Sequence, residues 1–239
     1  MALFHQSCCL ICHDVIMPSI SWQAIFSIDK EHHICPVCEG KLEQILGDQC
    51  RICSRPFSQV NDQFRNGDVC HDCFRWEEDP KWQGSLEKNH SFFLYNDFLK
   101  EVIATFKFRG DYALAKIFSE LFKRKIGELS PDLLVPIPLS DERQYERGFN
   151  QATALITVAG FSPTSMLSRF HSEKQSKKSR SERIHLPQVF QVLPDVHATG
   201  KKAVLIDDIY TTGSTLRHAA KLLKEAGAVS VQSLTLARS

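Results

Sequence analysis

Cysteine is missing from every position after Cys73, although nine cysteines lie between Cys8 and that residue. Charge of either sign is also nearly missing in sum: the formal net charge is +1, so no global field points to nucleic acid or a membrane surface. No apolar run approaches the ~20 residues of a membrane span. Met1 to Ser7 has neither a cationic start nor an apolar core, which argues against a secretory signal. A cytoplasmic chain with reduced thiols is therefore expected. No internal repeat appears beyond the cysteine spacing.

That spacing is regular. Cys9/Cys12, Cys35/Cys38, Cys50/Cys53 and Cys70/Cys73 each enclose two residues, which lets both thiolates of a pair bend onto one metal ion. Four pairs supply eight ligands, enough for two tetrahedral Zn²⁺ sites. Disulfides conflict with the expected compartment, and a redox pair would need one such motif, not four. A sequential scheme, joining the first pair to the second and the third to the fourth, is favoured because shorter loops cost less to close; an interleaved scheme would exchange partners, at only a small difference in loop-closure entropy. Cys8 competes with Cys9 for the first position. His13, His32, His33 and His71 lie nearby and read as surface residues, since thiolates already fill the sites.

With 239 residues the chain has room for one large or two modest domains. Residues 77–89 are polar, carry Pro80 and Gly84, and read as a linker flanked by Trp76 and Trp82. The division expected is a Cys-rich zinc module with its linker over 1–90 and a second domain over 91–239. Ser91 to Tyr95 suits a strand, and Asn96 or Asp97 suits the cap of a helix whose apolar face holds Leu99, Val102, Ile103 and Phe106. Leu133 to Pro138 reads as a buried strand ended by its prolines. Met166 and Leu167 suit the start of another strand, and Val231, Leu234 and Leu236 the last. Strands alternating with helices imply a parallel α/β sheet.

Residues 203–227 organise this domain. Ala203 to Ile206 is a branched apolar run fit for a buried strand. Asp207 and Asp208 follow it. Thr211, Thr212, Gly213, Ser214 and Thr215 form a loop of small hydroxyl residues, and a helical stripe of Leu216, Ala219, Ala220 and Leu223 runs to Gly227. Unpartnered N–H groups at a helix start favour anions, and a small-residue loop lets a phosphate come close. The acids cannot hold phosphate, but they can accept from sugar hydroxyls or bind Mg²⁺. Phosphate beside a diol describes ribose 5-phosphate; the bland reading is a capped helix and two solvated acids. The stretch resembles the phosphoribosyl-pyrophosphate (PRPP) motif of type I phosphoribosyltransferases. Lys107, Arg109, Arg143 and Arg147 sit at turns where they could face a diphosphate or simply water. Lys174, Lys177, Lys178, Arg180 and Arg183 form a basic run that suits either a DNA backbone or a solvated loop over the ribose site.

Taken together, the paired cysteines, Lys107-Phe108-Arg109-Gly110-Asp111, Val135-Pro136-Ile137-Pro138, Arg147-Gly148-Phe149-Asn150-Gln151, Glu173-Lys174-Gln175-Ser176-Lys177-Lys178 and the Asp207–Thr215 loop resemble the ComF family. The resemblance covers nearly the whole chain. It implies a small zinc module before a type I phosphoribosyltransferase-like α/β domain. It further implies a role in natural transformation, beside a competence helicase-like ATPase and incoming single-stranded DNA, with Zn²⁺ and a PRPP-type loop that could use Mg²⁺. An active phosphoribosyltransferase of nucleotide metabolism is the other function class, and it requires a base pocket that no motif here marks.

Overall fold

The structure, a computed structural model, describes residues 7–17, 32–169, 189–194 and 196–239. The basic residues Lys174, Lys177, Lys178, Arg180 and Arg183 lie outside the described residues. Among those described, no helix is long and apolar enough to cross a membrane.

The N-terminal part holds a one-turn helix α1 (Pro36–Glu39), a hairpin of β1 (Arg65–Asn66) and β2 (Val69–Cys70), and α2 (His71–Glu78). Gly67 turns the hairpin at φ +61°, a value that disfavours a side chain. Beyond it run β3 (Lys88–Leu94), α3 (Asp97–Phe108), a 3₁₀ segment over Tyr112–Phe118, α4 (Ser119–Leu129), β4 (Leu133–Pro136), α5 (Asp141–Arg147) and α6 (Gln151–Val158). The chain continues through β5 (Leu167–Arg169), β6 (Phe190–Val192), β7 (Lys202–Tyr210), α7 (Ser214–Glu225) and β8 (Ser230–Arg238). Asn96 caps α3, its side chain accepting the Leu99 N–H at 2.9 Å.

Strands β3, β8, β7 and β4 pair in that order, all parallel. Both faces are covered, which is why the central strands are apolar throughout. On one face Val204, Ile206, Leu234 and Leu236 pack with Val102, Phe106, Phe118 and Leu155. On the other, Ala203, Leu205 and Val231 share a core with Leu216 and Leu223 of α7 and with Cys50, Ile52, Cys53, Cys70 and Cys73. The second pair of cysteine motifs thus belongs to the covering of the sheet. This is a type I phosphoribosyltransferase-like parallel-sheet core preceded by a Cys-rich segment.

Three local expectations change. Strand β7 does not stop at Ile206 but runs to Tyr210, because β8 stays beside it: Asp207 lies opposite Thr235 and Tyr210 opposite Arg238. On the other side β4 ends with Pro136 opposite Ile206, and Ile137 N–H makes a last bond to the Ile206 carbonyl at 3.0 Å. Pro138 has no N–H to continue the ladder. The two acids therefore occupy a stretch paired on one side only. Strand β5 stays out of the parallel sheet and pairs antiparallel with β6; of its three residues only Leu167 is fully buried.

Residues 77–89 are also less of a linker than their polarity suggests. Helix α2 extends to Glu78, and Ser85, Leu86 and Asn89 are buried. Asn89 is a fully buried polar hub. Its N–H donates to the Ile52 carbonyl at 2.7 Å and its carbonyl accepts from Ser54 Oγ at 2.7 Å, tying the third cysteine pair to β3. Its Oδ1 accepts from Ser233 Oγ at 2.8 Å and its Nδ2 donates to Ser91 Oγ at 2.7 Å. Asn89→Ala leaves the buried Ser233 hydroxyl short of an acceptor, and chemical denaturation is expected to show a loss of about 1–3 kcal/mol. A change below about 0.5 kcal/mol would mean the network is not a structural hub.

Candidate functional site

The crevice opens where β4 has ended and β7 continues. Asp208 emerges on the side of α3 and forms an ion pair with Lys107, both largely shielded from water. Asp207 accepts the N–H of Asp208 at 2.9 Å. Burial pushes the Asp207 carboxyl up to about 8, and the Asp208 charge adds to this, against the opposing pull of Lys107.

Arginines surround the pair. Burial lowers the Arg147 pKa while the Asp208 charge holds it up, and Arg143 and Asp207 act on it more weakly. Arg169 at the end of β5 is likewise lowered by burial and by Arg143, with Asp207 opposing. The Arg147-Gly148-Phe149-Asn150-Gln151 motif explains how this shell is held. Gly148 ends α5 at φ +75°. Phe149 packs on Phe106 and Tyr112, with centroids at 5.5 and 5.1 Å. Asn150 caps α6 through the Ala152 N–H at 2.8 Å and donates to the Ile137 carbonyl at 2.8 Å, which fastens the end of β4. Gln151 accepts from Arg147 Nη1 at 2.9 Å. Lys107 thus meets Asp208 directly, Arg147 feels the charge of both acids, Arg143 acts electrostatically on Arg147 and Arg169, and Arg109 is exposed one residue past α3.

Beyond Tyr210 the chain turns into α7. Thr211 and Thr215 are exposed, Thr212 is half-buried, and Gly213 and Ser214 are buried. Gly213 starts the helix at φ +81° with no side chain to cap it. A Cβ there would fall 2.1 Å from the Tyr210 hydroxyl, so only glycine fits. Trp76 Nε1 donates to the Thr212 carbonyl at 3.1 Å, and Arg238 Nη1 donates to the carbonyls of Tyr210 and Thr211 at 3.2 and 2.9 Å. The tryptophans that flank the polar segment meet edge to face at 5.3 Å, and Trp82 lies 4.4 Å from the His218 ring on α7.

Cys9, Cys12, Cys35, Cys38, Cys50, Cys53, Cys70 and Cys73 form no disulfide. Cys9, Cys12, Cys35 and Cys38 converge, as do Cys50, Cys53, Cys70 and Cys73, with sulfurs inside each group no more than 4.8 Å apart. Cys8 is exposed and stands outside the first group. The Cys12–Cys35 and Cys53–Cys70 contacts are 3.7 Å. A Zn–S length of 2.3 Å gives a tetrahedral edge of about 3.8 Å, so both groups have the dimensions of a four-thiolate metal site. The backbone N–H of Cys38 points at Cys35 Sγ at 3.4 Å, and that of Cys70 at Cys50 Sγ at 3.3 Å, as suits thiolates.

Sequence reading missed Arg169, Trp76 and Arg238 as parts of the site. Arg169 was visible as the first cation of the basic run, and Trp76 as a flank of the polar segment. Arg238 gave no signal, because its role depends on β8 ending beside Tyr210.

Asp207 has a testable consequence. Its folded pKa of about 8 exceeds the ordinary value of 3.8, so the folded state binds a proton that the unfolded state releases. Its contribution to stability is present at low pH and is lost as pH rises toward 8. Asp207→Asn is therefore expected to gain thermal stability relative to wild type between pH 6 and pH 8 and to level off above about 8. A melting-temperature difference independent of pH would contradict the elevated pKa.

Residues 113–239 match the phosphoribosyl transferase domain family. Over nearly its whole length the chain is 39% identical to competence protein ComFC of Bacillus subtilis, covering 98% of this chain and 96% of the relative. It is 31% identical to competence protein ComFC of Streptococcus pneumoniae, covering 96% and 99%. It is 26% identical to DNA utilization protein YhgH of Salmonella typhimurium, covering 93% and 98%. By its fold, its cysteine groups and these near-full-length relatives, the chain belongs to the ComFC family of competence proteins and carries a phosphoribosyl transferase domain.

Proposed function

We propose that this chain is a late competence protein of natural transformation that acts on single-stranded DNA, carries two structural Zn²⁺ ions and binds a ribose 5-phosphate group of PRPP type. The observation that carries the ligand class is the pairing of an acid couple with a loop entered through three bound carbonyls, those of Tyr210, Thr211 and Thr212. The N–H groups and hydroxyls of Thr211, Thr212, Gly213, Ser214 and Thr215 take the 5-phosphate. Asp207 and Asp208 accept from the sugar hydroxyls. Lys107, Arg143 and Arg147, with Arg109 and Arg169 further out, face a diphosphate. Mg²⁺, when bound with PRPP, would neutralise diphosphate charge beside the acids. In this reading residues 1–90 form the metal module and 91–239 the phosphoribosyl-type domain. Two relatives bear competence names and a third is a DNA utilization protein, which supports a DNA role; a place in the cytoplasm beside a competence helicase-like ATPase belongs to the same proposal. Lys174, Lys177, Lys178, Arg180 and Arg183 are the proposed backbone contacts.

Elemental analysis is expected to find two zinc ions per chain, held by Cys9, Cys12, Cys35, Cys38 and by Cys50, Cys53, Cys70, Cys73. A chain folded with no metal would rule them out as structural. Calorimetric titration with PRPP, ribose 5-phosphate and a 5′-phosphorylated oligonucleotide then tests the loop. Thr212→Val is expected to lose about 1–3 kcal/mol of affinity for each phosphorylated ligand. Unchanged affinity would leave the loop a plain helix start. Pyrophosphate release on adding a nucleobase would instead assign the chain to nucleotide metabolism. For DNA, Lys177→Ala/Lys178→Ala is expected to lower the salt slope of oligonucleotide binding by about 1.4, at ~0.7 per contact. An unaltered slope would remove the basic run from the interface.

A further inference from the structure

Arg238, at the end of β8, is 3% exposed, and its guanidinium joins two parts of the molecule. Nε and Nη2 approach Cys53 Sγ at 3.4 and 3.5 Å. Nη1 faces the carbonyls of Tyr210, Thr211 and Ser239, and the group lies 4.9 Å from the Tyr210 ring centre. Only a planar fork of fixed donors reaches a sulfur on one edge and carbonyls on another.

A second tie runs parallel to it. Trp76, 5% exposed and three residues past Cys73 on the same helix, donates to the Thr212 carbonyl. Three successive carbonyls, of Tyr210 at the end of β7 and of Thr211 and Thr212 in the loop, are therefore bound from the side of the second cysteine group. No peptide bond in the described structure is cis, so each N–H points opposite to the carbonyl of the preceding residue. The N–H groups of Thr211, Thr212 and Gly213 are thereby turned away from that group, as in an anion-binding nest of successive amides.

Charge explains why cations stand here. Four thiolates around a divalent ion keep a net negative charge, and a buried charge needs partners. Arg238 is one. Arg217, fully buried on α7, is another, and it shares its charge with Glu77 at 2.7 Å. The first cysteine group packs instead against Ile11, Ile16, Ile34 and Phe98 in a core of its own.

We propose that Arg238 is a positioning residue that couples the second cysteine group to the phosphate loop. Metal held by Cys50, Cys53, Cys70 and Cys73 fixes Arg238 and α2; Arg238 and Trp76 fix the loop carbonyls; the loop amides then face the ligand. This rests on the reading of the loop as a ribose-phosphate site. Coupling of two equilibria is reciprocal, so a phosphorylated ligand on the loop must in turn hold the second metal ion. The first ion is outside this linkage.

The test follows metal release from the full zinc-loaded chain into a chromogenic chelator, with and without ribose 5-phosphate, alongside calorimetry of the same ligand. For wild type, ribose 5-phosphate is expected to slow release of one ion of the two. Cys12→Ser, which disables the first group, identifies the protected ion as the second. Arg238→Gln is expected to weaken ribose 5-phosphate roughly tenfold to a hundredfold, the loss of a charged donor, and to abolish the protection. Arg238→Lys, which can serve only one end of the bridge, is expected to fall between. Trp76→Phe keeps the ring and removes one donor, and serves as the milder variant should Arg238→Gln fail to fold; it too is expected to weaken the ligand and reduce protection. If wild type binds ribose 5-phosphate but neither metal ion is protected, or the variants bind as wild type does, the coupling is wrong. If wild type does not bind ribose 5-phosphate at all, the ribose-phosphate reading itself falls, and the coupling with it.

Discussion

A parallel sheet must be covered on both faces, and here part of one covering is a group of four cysteines. Cys50, Cys53, Cys70 and Cys73 are each at most 1% exposed and share a core with Ala203, Leu205 and Val231 of the sheet. Thiols have little apolar bulk to offer, and a group of this size would not order so many turns by hydrophobic burial alone. Held on one metal ion they would become a rigid knot. From that segment α2 leads to Trp76, the Ile52 carbonyl and the Ser54 hydroxyl reach Asn89, and Cys53 meets Arg238. The Thr211–Thr215 loop is thus braced by the cysteine-rich segment as much as by its own strand and helix.

Electrostatics shape the other side of the crevice. Two adjacent carboxylates on a strand paired along one edge repel each other, and burial adds to the cost of charging both. The chain answers with Lys107 against Asp208 and with Arg143, Arg147 and Arg169 around the pair. Arg143 and Arg147 lie on α5 and Arg169 on β5; Arg147 leans on Gln151 and lies 5.4 Å from the Phe108 ring centre, and Arg169 lies 5.6 Å from the Phe190 ring centre. A crevice with acids at its base and cations at its rim can take a ligand that carries hydroxyls at one point and phosphate groups at others.

Much of this was legible in the sequence, and for local reasons. Cys-x-x-Cys spacing and the strand-to-helix run from Val204 to Thr215 are short-range patterns, so both can be read from neighbouring residues alone. Strand and helix periods likewise placed the parallel α/β domain. What escaped detection depends on contacts between distant segments. Asn89 looked like linker because it is polar; it is buried because Ile52, Ser54, Ser233 and Ser91 satisfy it. Strand β7 looked finished at Ile206 because charge follows; it continues because β8 outlasts β4. The joining of cysteine pairs in sequence order depends on loop-closure differences too small to decide on paper, and the structure gathers them that way. Arg238 was invisible for the same reason: neither Cys53 nor Thr211 is near it in the chain.

The central claim is that the amides of the Thr211–Thr215 loop face a phosphate beside Asp207 and Asp208. Backbone amide chemical shifts of the isotope-labelled, zinc-loaded protein, recorded while ribose 5-phosphate is added, test this most directly. The account predicts saturable shifts that are largest at Thr211, Thr212, Gly213, Ser214 and Thr215, with smaller ones at Asp207 and Asp208. Shifts centred elsewhere with the loop amides unmoved would contradict it.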